Sequence, residues 1–502
     1  MPNSHSLTRN AAWLIAGKTL AFAATFALPL IIVRRLSPFQ VGVYQQVFLV
    51  INTLVTVLPL SVSLSAYYFL PREPERARQI VLNICLYSLG VGAVAWAALA
   101  TFPGFISRVL ANPQLSGYSH WIGVAATLLL LGATLEPVSV ARGDMKTATA
   151  FIVGSSVARG ILMAAAALFF SSVSALVWAI VIFGAAQSAV TLLYLHLRYP
   201  GFWRAFDSRM ALRQLRYAAP LGFSGILWYS ETDLHNYFVS HLAGTLAFAI
   251  YSYGTFDIPL AGIVTEGVAT VMIPRLSLLQ KAGDHRQIVQ IIGAAMRKLA
   301  FLIFPIAGVL LVTSREFILF FFTQRFAAAI PIFRINLCLL PLATIVTDPV
   351  IRAYTAFHPT LVRLRIVLFA LICAALWFFT SRYGGLGAIA VVVSARYLET
   401  GIIALLLRPI VGIQPQDIRL LRDPAKLAAA AVVAGAVTEL ARLSLAGARP
   451  FDVLAVCGTV YLIAYLVAVA ALRVPTAGEW ATARALLRNT AARLRLGPPT
   501  AG

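Results

Sequence analysis

The chain has 502 residues, 60% of them hydrophobic and only 12% charged, with a net charge of +22. A water-soluble protein carries about 25% charged residues, so this composition excludes that class and makes lipid the solvent. The positive charge is spread over many short connections with no folded basic domain behind them, which argues against a nucleic-acid partner.

A segment that crosses a bilayer needs about 20 mostly apolar residues and must satisfy its own backbone hydrogen bonds, so the apolar runs predict helices. In chain order the spans fall at about 11–33, 41–69, 79–102, 119–141, 148–170, 173–195, 215–240, 246–273, 291–313, 327–350, 361–380, 385–407, 425–445 and 451–472. The expected fold class is therefore an all-α polytopic membrane protein with about 14 transmembrane helices. The first run is too long for a signal peptide, is interrupted by Lys18, and shows no small-residue cleavage site before Arg34 and Arg35. It is expected to be retained.

Lys and Arg set the orientation, because acidic residues contribute little to topology. With the N-terminus inside, 28 of the 40 basic residues fall on the inner side and 8 on the outer. The inward connections carry Arg72, Arg76 and Arg78, then Arg198, Arg204, Arg209, Arg213 and Arg216, then Arg408, Arg419, Arg422 and Lys426. Both termini are expected in the cytoplasm. In the tail, Trp480, Leu487 and Leu494 oppose Arg484, Arg488 and Arg495, the pattern of a helix lying on anionic lipid.

An internal repeat displaced by roughly 200 residues organises the chain. The connection FLPREPERARQIV (69–81) matches MIPRLSLLQKAGDHRQIV (272–289), and the turn VRRLSPFQVGVY (33–44) matches VSHLAGTLAFAIY (239–251). Six spans per repeat return the second half in the same orientation, so two six-helix bundles are expected about a pseudo-two-fold axis along the membrane normal. The expected domains are 1–200, 201–410, a pair of added helices in 411–474, and a basic amphipathic tail, 475–502.

Cys85, Cys338, Cys373 and Cys457 stand singly inside spans, and neither a disulfide nor a metal site is indicated. With no phosphate loop and no soluble segment large enough for a nucleotide-binding domain, any transport is secondary. No cofactor is expected beyond a coupling ion, H+ or Na+.

The RRLSPFQVGVY turn, the YYFLPREPERAR segment, the APLGFSGILWYSETDLHNYFVSHLAGTLAFAIYSYG hairpin, the VMIPRLSLL exit and the TSREFILFFFTQRFAAAIPIFRI segment occur in an order specific enough to name a family. The chain resembles the Wzx-type polysaccharide transporters, or oligosaccharide flippases, of the multidrug/oligosaccharidyl-lipid/polysaccharide (MOP) exporter superfamily. The resemblance implies alternating-access movement of an undecaprenyl-pyrophosphate-linked sugar unit from the cytoplasmic to the outer face of a bacterial inner membrane. Membrane lipids, a polysaccharide polymerase and chain-length machinery are the partners it implies. Relatives often carry Asp followed directly by Arg or Lys where this chain reads Asp233-Leu234-His235.

An ionisable group facing lipid costs about 2.5–3.5 kcal/mol on insertion scales, so such groups usually face a cavity or a partner. Lys18, Arg159, Arg334 and Arg396 are the candidate cationic lining for a pyrophosphate. Against this, Lys18 and Arg334 lie near helix ends where they would snorkel, and Arg396 has Glu399 one turn on. Glu231, Asp233, His235, Asp257 and Glu266 are candidate coupling or gating groups, since a carboxylate beside an imidazole suits proton binding. The competing reading is a polar network that ties two helices together. Prolines at Pro29, Pro59, Pro220, Pro259, Pro305 and Pro341 permit kinks within spans. A lipid II flippase or a multidrug antiporter of the same superfamily is the alternative. From a different class, a membrane polysaccharide polymerase or ligase needs a larger outer loop than the stretch near Arg108, Asn112 and His120 supplies.

Overall fold

The computed structural model describes residues 28–354, 357–445 and 447–474, apart from the side chains of Trp228, Glu231, Pro259 and His358. Most of the first expected span, with Lys18, and the amphipathic tail lie outside the described residues. Among the described residues the chain is helical and contains no strand. The principal helices are α1 (Pro38–Val57), α2 (Ala66–Arg72), α3 (Ala77–Thr101), α4 (Ser119–Gly132), α5 (Leu135–Ala141), α6 (Met145–Phe169), α7 (Val173–Arg198) and α8 (Ser208–Gly254). There follow α9 (Pro259–Ala282), α10 (His285–Val312), α11 (Ser314–Phe322), α12 (Ile330–Leu337), α13 (His358–Val411), α14 (Arg422–Ser444) and α15 (Pro450–Ala471).

Among the described residues eleven helices are long and apolar enough to cross a membrane, and the protein is a multi-pass membrane protein. Eleven differs from the expected fourteen for three physical reasons. The first span is largely undescribed, and α8 is absent from the eleven although residues 215–240 lie within it. The third reason is α13, whose 54 residues would reach about 80 Å as one helix, far beyond a bilayer's hydrocarbon core. Its backbone turns at Gly384, where φ is 58° and ψ is −140°. A Cβ placed at Gly387 would lie 2.1 Å from the carbonyl oxygen of Phe379, eight residues earlier, so the chain folds back there.

Several expected spans are broken within the apolar run. The span expected at 41–69 ends as α1 at Val57 and resumes as α2, with Leu60 and Ser61 at left-handed φ values of 43° and 59°. These are strained conformations for residues with a Cβ. Pro59 supplies the break, and the Tyr87 hydroxyl donates to the freed Leu58 carbonyl at 3.1 Å. The 119–141 span divides at Ala133 and Thr134; there Thr191 Oγ1 donates to the Gly132 carbonyl at 3.0 Å. The 246–273 span is interrupted at Thr255–Ile258 before Pro259 restarts the helix, and the 327–350 span by a 3-10 turn at Leu340–Thr344. Hydropathy registers an apolar run whether its backbone is straight or broken, so these interruptions were not anticipated beyond the prolines.

The chain contacts divide into two units. The first comprises Met1–Phe256, Phe321–Ile332 and Val362–Val392; the second comprises Asp257–Phe320, Phe333–Leu361 and Val393–Gly502. In the first, the two repeat-related turns meet. Gly42 of α1 passes so close to α8 that a Cβ there would lie 2.3 Å from the Thr245 carbonyl oxygen. In the second, α14 and α15 pack on α10 through Ala300, Leu427, Tyr461 and Tyr465. Tyr465 donates to the Phe301 carbonyl at 3.2 Å and Tyr461 to the Ala431 carbonyl at 3.0 Å, so the C-terminal pair is built into this unit.

At one end of the first unit, Arg213 of α8 grips Glu73 with both guanidinium nitrogens, at 3.1 and 2.5 Å. The hydrogen bond from Arg213 holds the Glu73 carboxyl below its ordinary value of 4.5. A carboxylate whose pKa is lower folded than unfolded stabilises the fold above the unfolded pKa and loses that contribution as pH falls through the folded one. The difference in melting temperature between wild type and Glu73→Gln is therefore expected to hold from neutrality to about 4.5 and to vanish in more acid buffer. Differential scanning fluorimetry of the detergent-solubilised protein over that range checks it.

Candidate functional site

The first unit holds a polar band where α1 meets α8. Tyr229, Asp233 and Tyr237 recur at four-residue intervals on α8 and so share one helix face. Thr53 of α1 lies opposite, its Oγ1 2.5 Å from the Tyr237 hydroxyl and 3.3 Å from the Tyr229 hydroxyl. Thr53 spends its only proton on the Leu49 carbonyl at 2.8 Å, so it accepts from the Tyr237 hydroxyl. Tyr237 is the donor at the shorter distance. Tyr229 is hydrogen-bonded to the Asp233 carboxylate, which also accepts from Asn236 Nδ2 at 3.2 Å.

His235 is buried and points elsewhere, its Nδ1 2.9 Å from the Tyr251 hydroxyl. Two residues on a helix are about 200° apart, so Asp233 and His235 cannot share one face. The structure gives them different partners accordingly. The Glu231 side chain lies outside the described residues. Asp257 and Glu266 are exposed, in the α8–α9 connection and on α9, and belong to the second unit.

Of the cationic candidates, Arg159 sits half-buried on α6, where its charge acts on the Tyr44 hydroxyl of α1. Arg334 belongs to the second unit and donates from Nε to Ser314 Oγ at 2.7 Å. Beside it Arg442 bridges Glu316 at 3.2 Å and Glu439 at 2.6 Å, a set that ties α11 to α14. Arg396 pairs with Glu399 at 3.0 Å, one turn along α13. Arg159 therefore lies in the same unit as the tyrosine and carboxylate face, whereas Arg334 and Arg396 have close partners in the other.

A second polar network went unread in the sequence. Gln46, fully buried, donates from Nε2 to Ser240 Oγ at 2.7 Å and to the Leu110 carbonyl at 3.1 Å. Its Oε1 accepts from Asn112 Nδ2 at 2.6 Å and from Thr245 Oγ1 at 3.4 Å. A glutamine inside an apolar helix was the available signal. It locks α1 to α8 beside the Gly42 crossing, and its satisfied hydrogen bonds mark it as structural.

The family description "Polysaccharide biosynthesis protein" matches residues 31–331. The chain belongs to the polysaccharide biosynthesis protein family. No curated protein matches the chain. Among solved structures, this family member is similar to a lipid II flippase MurJ in an inward closed conformation. That likeness has 15% identity and a TM-score of 0.67 and covers 90% of this chain and 98% of that one. It is also similar to an inward-facing multidrug resistance MATE family transporter of the MOP superfamily, at 15% identity and a TM-score of 0.60, over 80% and 98% of the two chains. A MOP superfamily transporter from Pyrococcus furiosus gives 16% identity and a TM-score of 0.55, over 81% and 95%. At such identities these likenesses establish the fold, that of the MOP transporters.

Proposed function

We propose that this member of the family is a flippase that moves undecaprenyl-pyrophosphate-linked oligosaccharide units from the cytoplasmic to the periplasmic face of a bacterial inner membrane. The observation that carries the reading is the family match over residues 31–331, which contain the tyrosine, threonine and carboxylate face of α1 and α8. Hydroxyls and a carboxylate set on aromatic rings match the chemistry of a sugar, whose edges hydrogen-bond while its faces stack. Arg159 supplies a cation for the pyrophosphate in the same unit, and guanidinium groups suit phosphate oxygens. The unwound segment at Leu58–Val62 and the other breaks are joints about which helices would rock in alternating access. Both termini lie in the cytoplasm in this reading, a proton or sodium gradient drives the step, and a polysaccharide polymerase with its chain-length machinery receives the product. The protein itself carries out no covalent chemistry.

Complementation of a bacterium lacking its own oligosaccharide flippase tests this, scoring surface polysaccharide and the lipid-linked intermediate. Wild type is expected to restore export, and Arg159→Ala, inserted at equal level, to lower it at least about tenfold, as losing one charge-assisted contact in a low-dielectric site predicts. Failure of wild type across several donor sugars, despite correct insertion, would sink the reading and favour a drug or lipid II substrate.

A further inference from the structure

The first unit contains a cleft of about 690 Å³ where α2, α3, α5 and α7 end, on the side that the Lys and Arg distribution assigns to the cytoplasm. Three arginines from three helix ends line it: Arg78 at the start of α3, Arg142 just after α5 and Arg198 at the close of α7. Two of them are held in place. Arg142 donates to the Arg198 carbonyl at 3.1 Å and lies 5.2 Å from the centre of the Tyr199 ring. Arg198 pairs with Asp144 at 3.3 Å, and Asp144 caps α6 through the Thr147 amide. Arg78 is exposed and makes no hydrogen bond or ion pair among the described residues. Glu75 is the acidic residue of the lining, while Leu70 and Tyr199 give it apolar wall.

Guanidinium groups brought to one space from three helix ends match a phosphoryl group, whose oxygens take parallel N–H bonds. An apolar wall beside them at the membrane surface matches the chain to which such a phosphate is attached. We propose that this cleft is a recognition site for a phosphate-bearing lipid head group, separate from the α1–α8 face. The ligand chemistry is a phosphodiester or diphosphate anion on a lipid, and its two sources are membrane phospholipid and a diphosphate-linked lipid. The site goes beyond the export reading, because head-group binding at the cleft is measurable whether or not sugar crosses the membrane.

The test uses the full-length protein in phosphatidylcholine nanodiscs. Inorganic pyrophosphate is titrated by calorimetry, and phosphatidylglycerol binding is followed by native mass spectrometry. Arg78→Gln alone, which breaks no observed contact, and Arg78→Gln/Arg142→Gln are compared with Arg419→Gln/Arg422→Gln, a basic pair of the second unit. Loss of the cleft arginines is expected to weaken binding at least about tenfold, with the melting temperature of the single variant unchanged and the control pair silent. Glu75→Gln is expected to tighten binding, which a merely structural role would not produce. Weakened pyrophosphate binding with phosphatidylglycerol unaffected supports the site and assigns it to a diphosphate lipid; the converse supports it and assigns it to phospholipid. Absence of binding of both probes to wild type, or equal binding by wild type and the double variant, overturns it.

Discussion

Gly42→Val is expected to prevent the protein from reaching a stable fold, giving aggregation in place of a single peak in fluorescence-detected size exclusion. The contact a Cβ would meet at Gly42 is backbone, the Thr245 carbonyl oxygen at 2.3 Å, so no rotamer change relieves it. The helices must separate instead. Separation pulls apart the Gln46 hydrogen bonds to Ser240 and Thr245 one turn away, leaving buried amide groups with neither water nor partner. Overpacking alone costs about 1–3 kcal/mol, and each orphaned buried group about 1–3 kcal/mol more, against a total stability of only about 5–15 kcal/mol. Gly90→Ala is the matched control, since a Cβ there meets nothing within 4 Å, and it is expected to behave as wild type.

Asp233→Asn is expected to lower export at least about tenfold, equivalent to about 1.4 kcal/mol, at unchanged protein level. The amide is the same size and still accepts from Asn236 and Tyr229, so the helix face is kept while the charge is lost. Tyr237→Phe removes the donor to Thr53 and is expected to cost about 1 kcal/mol of stability with a smaller export defect. Surface polysaccharide normalised to immunoblotted protein separates the two variants. An Asp233→Asn protein that exports normally would assign the carboxylate to holding α8 in place, the network reading of these residues.

The class of fold was legible because lipid allows spanning backbone one solution, and the apolar runs mark where it is used. Helix continuity was not. Leu60 and Ser61 hold left-handed backbone inside a run whose hydropathy does not dip, and only Pro59 hinted at it. At the candidate site, the four-residue spacing of Tyr229, Asp233 and Tyr237 was readable, as was the opposition of Asp233 and His235. The two members of the candidate coupling set therefore take different partners, Asn236 for Asp233 and Tyr251 for His235. The Arg334 contact with Ser314 was out of reach, because it depends on the break at Thr323 and the 3-10 helix at Gln324–Ala329, whose geometry the sequence does not specify. Arg396 and Glu399 were readable as a pair, since a three-residue spacing needs no tertiary information.

The reversal at Gly384 also bears on how the chain is made. Its two arms, about 26 residues each, meet at a single non-helical residue, and the polar run Thr380-Ser381-Arg382 just before it is the short stretch left to rest at the membrane surface. With so short a connection the two arms are expected to enter lipid together, as one helical hairpin.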